Sequence, residues 1–389
     1  MHPLAVVFTL TTVTPPAAEP ASSTHVAIER TRLTAEDLRV WPSVDANDPK
    51  NNEAIACLRR FFEKKLDPEA TNDYWLPEDM ETHVHPYADL IALEFDTEGR
   101  LKYWPTLMRC LPVGATDRML TVKWAAVDGS GTANDVRYVY EFLARDTANG
   151  MRLSVPLDHN TREWKRMSVG PIHYIVSPLV RISQAEAEEQ ADTVHWLSTY
   201  FGIPEFPITY YAFLDLQDLF RAQGFHAHPL MYAHATGGRV DHGEHVLAGN
   251  NSALYTHEIV HLFENRKFGS AQPDLLAEGL ATLLGGSGEL PYSWHRKVLK
   301  EHLAARPTDL NEHLDPYAQK YIQEHTNMTY ALGAVLCEHI LRKDGKDALF
   351  RAMSAGPELW PALEVVGVKQ EDLDAIITEE LERPLLQVW

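Results

Sequence analysis

Hydrophobic residues recur with a helical period over residues 52–66 and then with a strand-like period in several segments. Turn-forming sequences such as residues 96–99 and 128–131 separate these segments, which is typical of an antiparallel meander. The predicted strands are residues 90–95, 101–111, 119–127, 136–144 and 151–157. We therefore expect residues 25–168 to form an α+β accessory domain, a helix followed by an antiparallel sheet.

Beyond residue 168 the pattern first alternates between strands and helices and then becomes helical. The first part contains strands at 172–176, 207–214 and 244–248 and helices at 183–201 and 216–223. After residue 288 the predicted helices are 293–305, 317–325, 328–344, 346–353 and 370–382. We expect residues 169–389 to form a second domain with a helical C-terminal part.

The segment 251–269 contains His257-Glu258-Ile-Val-His261, a match to the motif H-E-x-x-H. Residues four apart lie on one face of a helix, so His257 and His261 can bind one metal ion from the same side. Glu258 lies about 100° around the helix axis. It can therefore reach a water molecule on that ion without being a ligand.

Flanking residues support a helix in this segment. Asn251 or Ser252 is suited to cap its start, and Gly269 is suited to its end. Glu264 lies one turn beyond His261, where it either orients that histidine or forms a surface ion pair with Arg266 or Lys267. The expected buried face consists of Ile259, Val260 and Phe263.

A catalytic zinc ion needs a third protein ligand and an open position for water. The next predicted helix starts at Pro273, ends at Gly285-Gly286 and carries Glu278. Glu278 follows His261 at a separation that lets one helix end and a second helix return. Glu278 is therefore the candidate third ligand.

H-E-x-x-H followed by a helix with Ala277-Glu278-Gly279-Leu-Ala resembles the gluzincins, the HExxH…E zinc metallopeptidases of the peptidase MA-like class. The resemblance implies that His257, His261 and Glu278 bind one Zn²⁺ ion and that Glu258 is the general base. It also implies a thermolysin-like, two-lobed peptidase domain over roughly residues 170–382. In that family the strand at 244–248 would be the edge strand that pairs with the substrate.

Thr329-Tyr330-Ala-Leu-Gly333 resembles the Y-x-x-G segment of the aminopeptidase branch of this family. The resemblance implies that Tyr330 donates a hydrogen bond to the oxyanion that develops during catalysis, a task suited to a neutral phenol. The branch's Gly-x-Met-x-Asn signature is absent from residues 243–249. Recognition of a free amino terminus is therefore not implied.

Other polar residues have two interpretations each. Arg342 and Lys343 either meet a substrate carboxylate or belong to the solvated surface, and the surface is the default. A histidine-rich segment is either a second metal site or a loop with an edge strand, and we favour the latter because no spacing there imposes a coordination geometry. Its members are His226, His228, His234, His242 and His245.

Composition limits the classes of function. With 45% hydrophobic and 23% charged residues, the 389-residue chain is globular and long enough for two domains. A net charge of −20 argues against a nucleic-acid partner, which would require a basic patch. No stretch approaches the roughly 20 apolar residues of a membrane helix.

The N-terminal α+β pattern also resembles the nuclear-transport-factor-like cone fold.

Residues 1–24 are predicted to be a leader. An apolar run at 3–13 has the length of a signal peptide and precedes a Pro/Ala-rich stretch, but a basic start is missing. The alternatives are an atypical export signal, which places the protein in the periplasm or outside the cell, and a disordered leader or edge strand. Cys57, Cys110 and Cys337 allow at most one disulfide, and buried thiols are expected.

The sequence therefore predicts a zinc metallopeptidase, a hydrolase of peptide or protein substrates that uses Glu258 and Tyr330 in catalysis. Two alternatives stay open. The first is a non-catalytic binding protein on a metallopeptidase scaffold. The second is a zinc hydrolase of a non-peptide amide or ester, which would use the same residues.

Overall fold

The computed structural model describes residues 33–67, 72–83, 86–96, 98–127, 133–241, 244–269, 271–318 and 320–388. The chain is 45% helical and 24% strand, so the expected mixture of helix and sheet is confirmed. The predicted leader at 1–24, the turn at 128–131 and His242 lie outside the described residues. Among the described helices, none has the length and apolar character needed to cross a membrane.

The chain divides into two compact units. The described part of the N unit comprises residues within 33–163 and 217–233, and that of the C unit comprises residues within 164–216 and 234–388. The junction lies close to the predicted boundary at 168–169, and residues 217–233 return to the N unit.

The N unit is built on an antiparallel meander of β2 to β5, with β1 parallel to β2 at one edge. Helix α1 contributes Phe61 and Phe62 to a core that also contains Trp124 and Phe142. The elements are β1 (Arg39–Val40), α1 (Pro49–Lys64), α2 (Pro77–His83), β2 (Tyr103–Val113), β3 (Asp117–Val127), β4 (Ala133–Thr147), β5 (Gly150–Ser154) and α3 (Leu157–Thr161).

The strand predicted at 90–95 is wrong, because this segment forms turns after a short 3₁₀ helix, Ala88–Leu90. Glu94, which an alternating pattern would place on the solvent face, is fully buried instead. Its carboxylate accepts hydrogen bonds from Lys65 Nζ at 2.7 and 2.8 Å and from Trp124 Nε1 at 2.7 Å. The turns direct the Glu94 carboxylate into the unit, where Lys65 and Trp124 lie, and a regular strand would direct it to solvent.

The C unit begins with a five-stranded sheet in the order β10-β11-β8-β7-β6. Strands β7, β8 and β11 are parallel, and β6 and β10 are antiparallel edges. The elements between residues 165 and 249 are β6 (Lys165–Val169), β7 (Ile172–Val176), α4 (Gln184–Phe201), β8 (Ile208–Phe213), α5 (Leu216–Ala222), β9 (Phe225–Ala227), β10 (Gly237–Asp241) and β11 (His245–Gly249). Of these, β9 belongs to the N unit, where it pairs with β4.

The expectation that residues 244–248 form the edge strand is therefore wrong. Strand β11 lies between β8 and β10, and β10 is the edge strand on that side of the sheet. The reason is that β10 and β11 form a hairpin just before the helix that contains His257 and His261, so that the strand preceding this helix is paired on both sides.

Helices dominate the rest of the C unit. Helices α9 and α10 have the predicted bounds, but the helix predicted at 317–325 is wrong. Asn327 caps α9 by accepting a hydrogen bond from Thr329 N at 2.9 Å, and the preceding residues form a hairpin instead. The elements are α6 (Thr256–Phe268), α7 (Asp274–Gly285), α8 (Tyr292–Ala305), β12 (Tyr321–Gln323), β13 (Thr326–Asn327), α9 (Met328–Asp344), α10 (Lys346–Met353), α11 (Leu359–Glu364) and α12 (Leu373–Glu382).

Helices α7 and α9 cross with their backbones in contact. A Cβ atom at Gly279 would lie 2.3 Å from the carbonyl carbon of Gly333, and one at Gly333 would lie 2.3 Å from the carbonyl oxygen of Leu275. Only glycine at both positions permits this approach. The crossing therefore brings the residues beside these glycines, Glu278 and Tyr330, into one region.

Arg342 holds the C-terminal helices together, so the expectation of a solvated surface residue is wrong. Its guanidinium contacts Glu338 Oε1 at 2.8 Å and Glu380 Oε1 at 2.6 Å, and both carboxylates are fully buried. Their burial requires a cationic partner, which Arg342 supplies from α9 to α12. Lys343 is exposed, as expected. All three cysteines are free, and Cys57 and Cys337 are buried.

We expect Gly333→Ala to destabilise the C unit. In an ordinary helix interior this change stabilises by roughly 0.8–1.0 kcal/mol. Here the added methyl group meets backbone, and overpacking of about 1–3 kcal/mol should exceed that gain. Chemical denaturation measures the difference. Lys343→Ala, an exposed change on the same helix, is the control and should stay within about 0.5 kcal/mol of the wild type. A stabilised Gly333→Ala would show that the backbones do not touch.

Candidate metal centre

Helix α6 starts later than its sequence suggests. It begins at Thr256, and neither Asn251 nor Ser252 caps it, because the side chain of Asn250 organises those residues into a separate loop. A residue of α4 stabilises the start of α6 instead, since Gln190 Oε1 accepts a hydrogen bond from Tyr255 N at 2.7 Å. The predicted end at Gly269 is confirmed, since its N–H donates to Asn265 O.

Helix α6 is buried on its polar side as well as on its apolar side. Ile259, Val260 and Phe263 are fully buried, as expected. Its ionisable residues are buried too, with exposed fractions of 2% for His257, 0% for Glu258, 5% for His261 and 0% for Glu264. Buried ionisable groups need partners that offset their lost hydration, so the contacts of these four side chains define the site.

The structure brings the three predicted ligands together. His257, His261 and Glu278 each offer one ligand atom, and these atoms lie within 4.8 Å of one another. Glu278 Oε2 is 3.2 Å from His257 Nε2 and 3.6 Å from His261 Nε2. Two imidazole nitrogens and one carboxylate oxygen are a donor set found in catalytic zinc sites, which leave a fourth position for water.

Each histidine is oriented by its other ring nitrogen. His257 Nδ1 donates to the carbonyl oxygen of Gly286 at 2.7 Å, and His261 Nδ1 donates to Glu264 Oε2 at 2.8 Å. Because a carbonyl and a carboxylate can only accept, both Nδ1 atoms carry the proton. Both Nε2 atoms can therefore offer a lone pair to a metal ion, the arrangement that ligand histidines usually have.

Sequence reasoning missed the role of Gly285 in this arrangement. A Cβ atom at Gly285 would lie 2.4 Å from the backbone nitrogen of His257, so the end of α7 reaches the start of α6 only because this residue is glycine. The close approach places the Gly286 carbonyl beside His257. Gly285-Gly286 was predicted only to end the helix, and nothing in that pattern indicates which residue the carbonyl meets.

Of the two roles considered for Glu264, the structure shows the contact with His261. Arg266 pairs with Glu244 instead, and the Lys267 ammonium lies 5.6 Å from the ring centre of Phe350. Burial raises the pKa of Glu264, and the hydrogen bond from His261 opposes that effect.

The charges of the cluster fit a cation. Burial would lower the pKa of His261, but the carboxylates of Glu278 and Glu264 outweigh burial and raise it well above its usual value. Burial would raise the pKa of Glu278, but His261 and His257 outweigh burial and lower it to about 2. The carboxylates of Glu278 and Glu264 thus favour a positive charge at this point. A divalent metal ion would provide that charge while His261 stays neutral.

Glu258 lies beside the cluster with few partners. The main-chain N–H of Val240 approaches its carboxylate and lowers its pKa, and no described side chain donates to either oxygen. Burial has the larger effect and raises the pKa of Glu258 to about 7, against the opposing charges of His257 and His261. A buried carboxylate with so few partners is costly, and a water molecule on a bound metal ion is the kind of group that would satisfy it.

Tyr330 also lies in the site. Its ring stacks on that of His257, with the centres 6.0 Å apart and the planes at 18°. Burial raises the pKa of Tyr330 well above its usual value, and the charge of Glu278 adds to this effect. The phenol is therefore neutral and close to the Glu278 carboxylate.

A cavity of about 500 Å³ adjoins His257 at the start of α6. Among the described residues, its wall contains two carboxylates, Glu189 and Glu289, and no lysine or arginine. The remaining wall is formed by Asn250, Ser252, Leu254, Tyr255, Thr256, Gly285, Gly286, Ser287, Gly288, Leu290 and Pro291. The volume lies in the range of small-ligand sites.

The histidine-rich segment includes an edge strand, β10, as favoured from the sequence. Its described histidines belong to different units, with His226 and His228 in the N unit and His234 and His245 in the C unit. His226 Nε2 lies 3.1 Å from Glu141 Oε2.

No protein-family model and no curated protein sequence matches this chain. The functional argument therefore depends on the geometry and chemistry of the cluster.

We expect the purified protein to contain about one zinc ion per chain. His261→Ala and Glu278→Ala should each lose most of this zinc, because two protein ligands do not make a stable site. His195→Ala removes an exposed histidine that pairs with Glu205, and should keep the zinc. Elemental analysis after dialysis measures the content. A metal-free wild type that cannot be reconstituted would exclude the site.

Proposed function

We propose that the chain is a zinc-dependent peptidase. The observation that carries this proposal is the buried cluster of His257, His261 and Glu278 beside the fully buried carboxylate of Glu258. The C unit would be a gluzincin-like, thermolysin-like domain. Support for that comparison is the order of edge strand β10, inner strand β11, metal helix α6 and glutamate helix α7.

A zinc ion held by the three ligands would lower the pKa of a bound water molecule and polarise the carbonyl group of the substrate. Glu258 then accepts the proton of the attacking water at a carboxylate oxygen and delivers it to the leaving nitrogen. A group with a pKa near the working pH is suited to both transfers. Burial of Glu258 excludes competing proton donors.

Other residues of the C unit would bind the substrate and its transition state. The free edge of β10 offers main-chain groups to an extended peptide, which fixes the peptide bond without selecting side chains. The hydroxyl of Tyr330 donates a hydrogen bond to the oxyanion as negative charge develops on it. The cavity beside His257 would receive a substrate side chain, and Glu189 and Glu289 favour a basic one.

We expect Glu258→Gln to keep zinc and lose hydrolysis. Loss of a general base typically lowers turnover by about 10²- to 10⁴-fold, and an amide fills the same space as the carboxylate. Glu301→Gln, an exposed change on α8, is the matched control and should be as active as the wild type. Mass spectrometry of a digested proteome identifies the new peptide termini, which we expect beside lysine or arginine.

If wild type and Glu258→Gln are equally silent over a broad peptide library, the peptidase proposal fails. A zinc-loaded, silent wild type favours the non-catalytic binding protein. Cleavage of amides or esters other than peptides, dependent on Glu258, favours the alternative hydrolase.

We expect Tyr330→Phe to lower turnover by a hundredfold or more, since loss of an oxyanion donor costs about 2.7–4 kcal/mol. The ring and its stacking on His257 remain, so zinc content and substrate affinity should barely change. Turnover, zinc content and melting temperature are measured together, with the exposed Tyr232→Phe as control. Unchanged turnover per folded molecule would remove Tyr330 from the mechanism.

A further inference from the structure

The carboxylate of Glu264 is only half satisfied. Its Oε2 accepts a hydrogen bond from His261 Nδ1 at 2.8 Å, whereas Oε1 is buried and has no partner among the described residues. Glu264 is fully enclosed, with no exposed surface. A buried carboxylate oxygen without a hydrogen bond is costly and rare, so a group in the interior is expected to satisfy it.

A second unpaired polar atom, the hydroxyl of Tyr200, lies in the same interior. Tyr200 is on α4 of the C unit, and its Oη is buried without a hydrogen-bond partner among the described residues. Burial raises the pKa of Tyr200, and the charges of Cys337 and Glu264 contribute to the same effect. Phe201, next to Tyr200 on α4, stacks on Phe263, next to Glu264 on α6, with the ring centres 5.7 Å apart and the planes at 26°. This contact places the hydroxyl and the carboxylate in the same interior, between α4 and α6.

The ring of Tyr200 cannot readily turn towards solvent. It stacks on Trp196, with the centres 5.0 Å apart and the planes at 22°, and meets the edge of Phe350 at 5.8 Å. Lys346 Nζ lies 5.2 Å from the ring centre and donates to the Tyr200 carbonyl oxygen at 2.7 Å. Packing thus keeps a phenol donor pointed inward, although tyrosine normally places its hydroxyl in water or on a partner when it is buried.

We propose that Tyr200, Glu264 and His261 form a positioning chain behind the metal centre. The Tyr200 hydroxyl donates to an enclosed water molecule, and that water donates to Glu264 Oε1. Glu264 Oε2 in turn accepts from His261 Nδ1 and fixes the direction of His261 Nε2. A buried water typically makes about three hydrogen bonds, so it satisfies both unpaired atoms. Tyr200 is a positioning residue, and its role rests on the proposed metal site.

The chain has a measurable consequence for metal binding. Partners behind a ligand histidine typically change metal affinity by about 10- to 100-fold when they are removed. Glu264→Gln should weaken zinc binding within that range. Tyr200→Phe should weaken it by about tenfold, since Glu264 loses one of its two anchors but still contacts His261. In the double variant zinc binding should be no weaker than in Glu264→Gln alone, because Tyr200 acts only through Glu264.

Zinc dissociation constants are measured by chelator competition for the wild type, the two single variants and the double variant. Tyr292→Phe is the control, since it also removes a buried hydroxyl, one that donates to Glu338, from the same unit. It should lower the melting temperature without changing zinc affinity. In excess zinc, turnover and KM of Tyr200→Phe should return to wild-type values, which a general loss of packing would not allow.

Zinc affinity unchanged in Tyr200→Phe, or effects that add in the double variant, would overturn the positioning chain and leave the metal site standing. A wild type that binds no zinc would overturn both. A crystal structure of the zinc-loaded wild type is independent of whether the variants fold. It should show a water molecule within hydrogen-bond distance of Tyr200 Oη and Glu264 Oε1, and its absence would overturn the proposal.

Discussion

The contact between the backbones of α7 and α9 is the constraint on which the candidate site depends. Gly279 and Gly333 let the two helices touch, and each is close in sequence to a residue of the site, Glu278 on one helix and Tyr330 on the other. A side chain at either glycine would separate the helices and move both residues away from His257. Gly285 likewise lets the end of α7 lie against the backbone of α6, and this contact places the carbonyl oxygen of Gly286 beside His257 Nδ1. The glycines set the distances, and the polar residues supply the chemistry.

The second constraint is electrostatic. Helix α6 is buried from His257 to Glu264, yet this stretch carries two histidines and two glutamates, and α7 adds Glu278. Such a group of charges would destabilise the fold unless positive charge balanced it. Without a metal ion the balance falls on protonated His261, as the direction of its pKa shift indicates. Buried ionisable groups of this kind oppose the stability of an otherwise apolar core. They are expected where residues are selected for function rather than for stability.

Sequence reasoning predicted what depends on local pattern. The bounds of α9 and α10, the end of α6 and the residues His257, His261 and Glu278 follow from periodicity, glycine positions and motif spacing. It could not predict features that depend on distant neighbours. The order of β10 and β11 is set by pairing across the sheet, and residues 321–327 form a hairpin that ends at the cap of α9. The ion pairs of Arg342 and the contacts of the three glycines likewise exist only once the helices pack.

The two candidate ligand histidines, His257 and His261, are oriented by different kinds of acceptor, and the difference has a chemical consequence. His257 is held by a neutral carbonyl of α7, whose position depends on glycine packing. His261 is held by a carboxylate of its own helix, which increases the basicity of the imidazole. The carbonyl fixes the position of the His257 ring, whereas the carboxylate would also make His261 a better electron donor to a metal ion. Because a carboxylate inside a core is itself a charge in need of partners, Glu264 requires further polar groups behind it. The unpaired atoms of Glu264 and Tyr200 lie in that region.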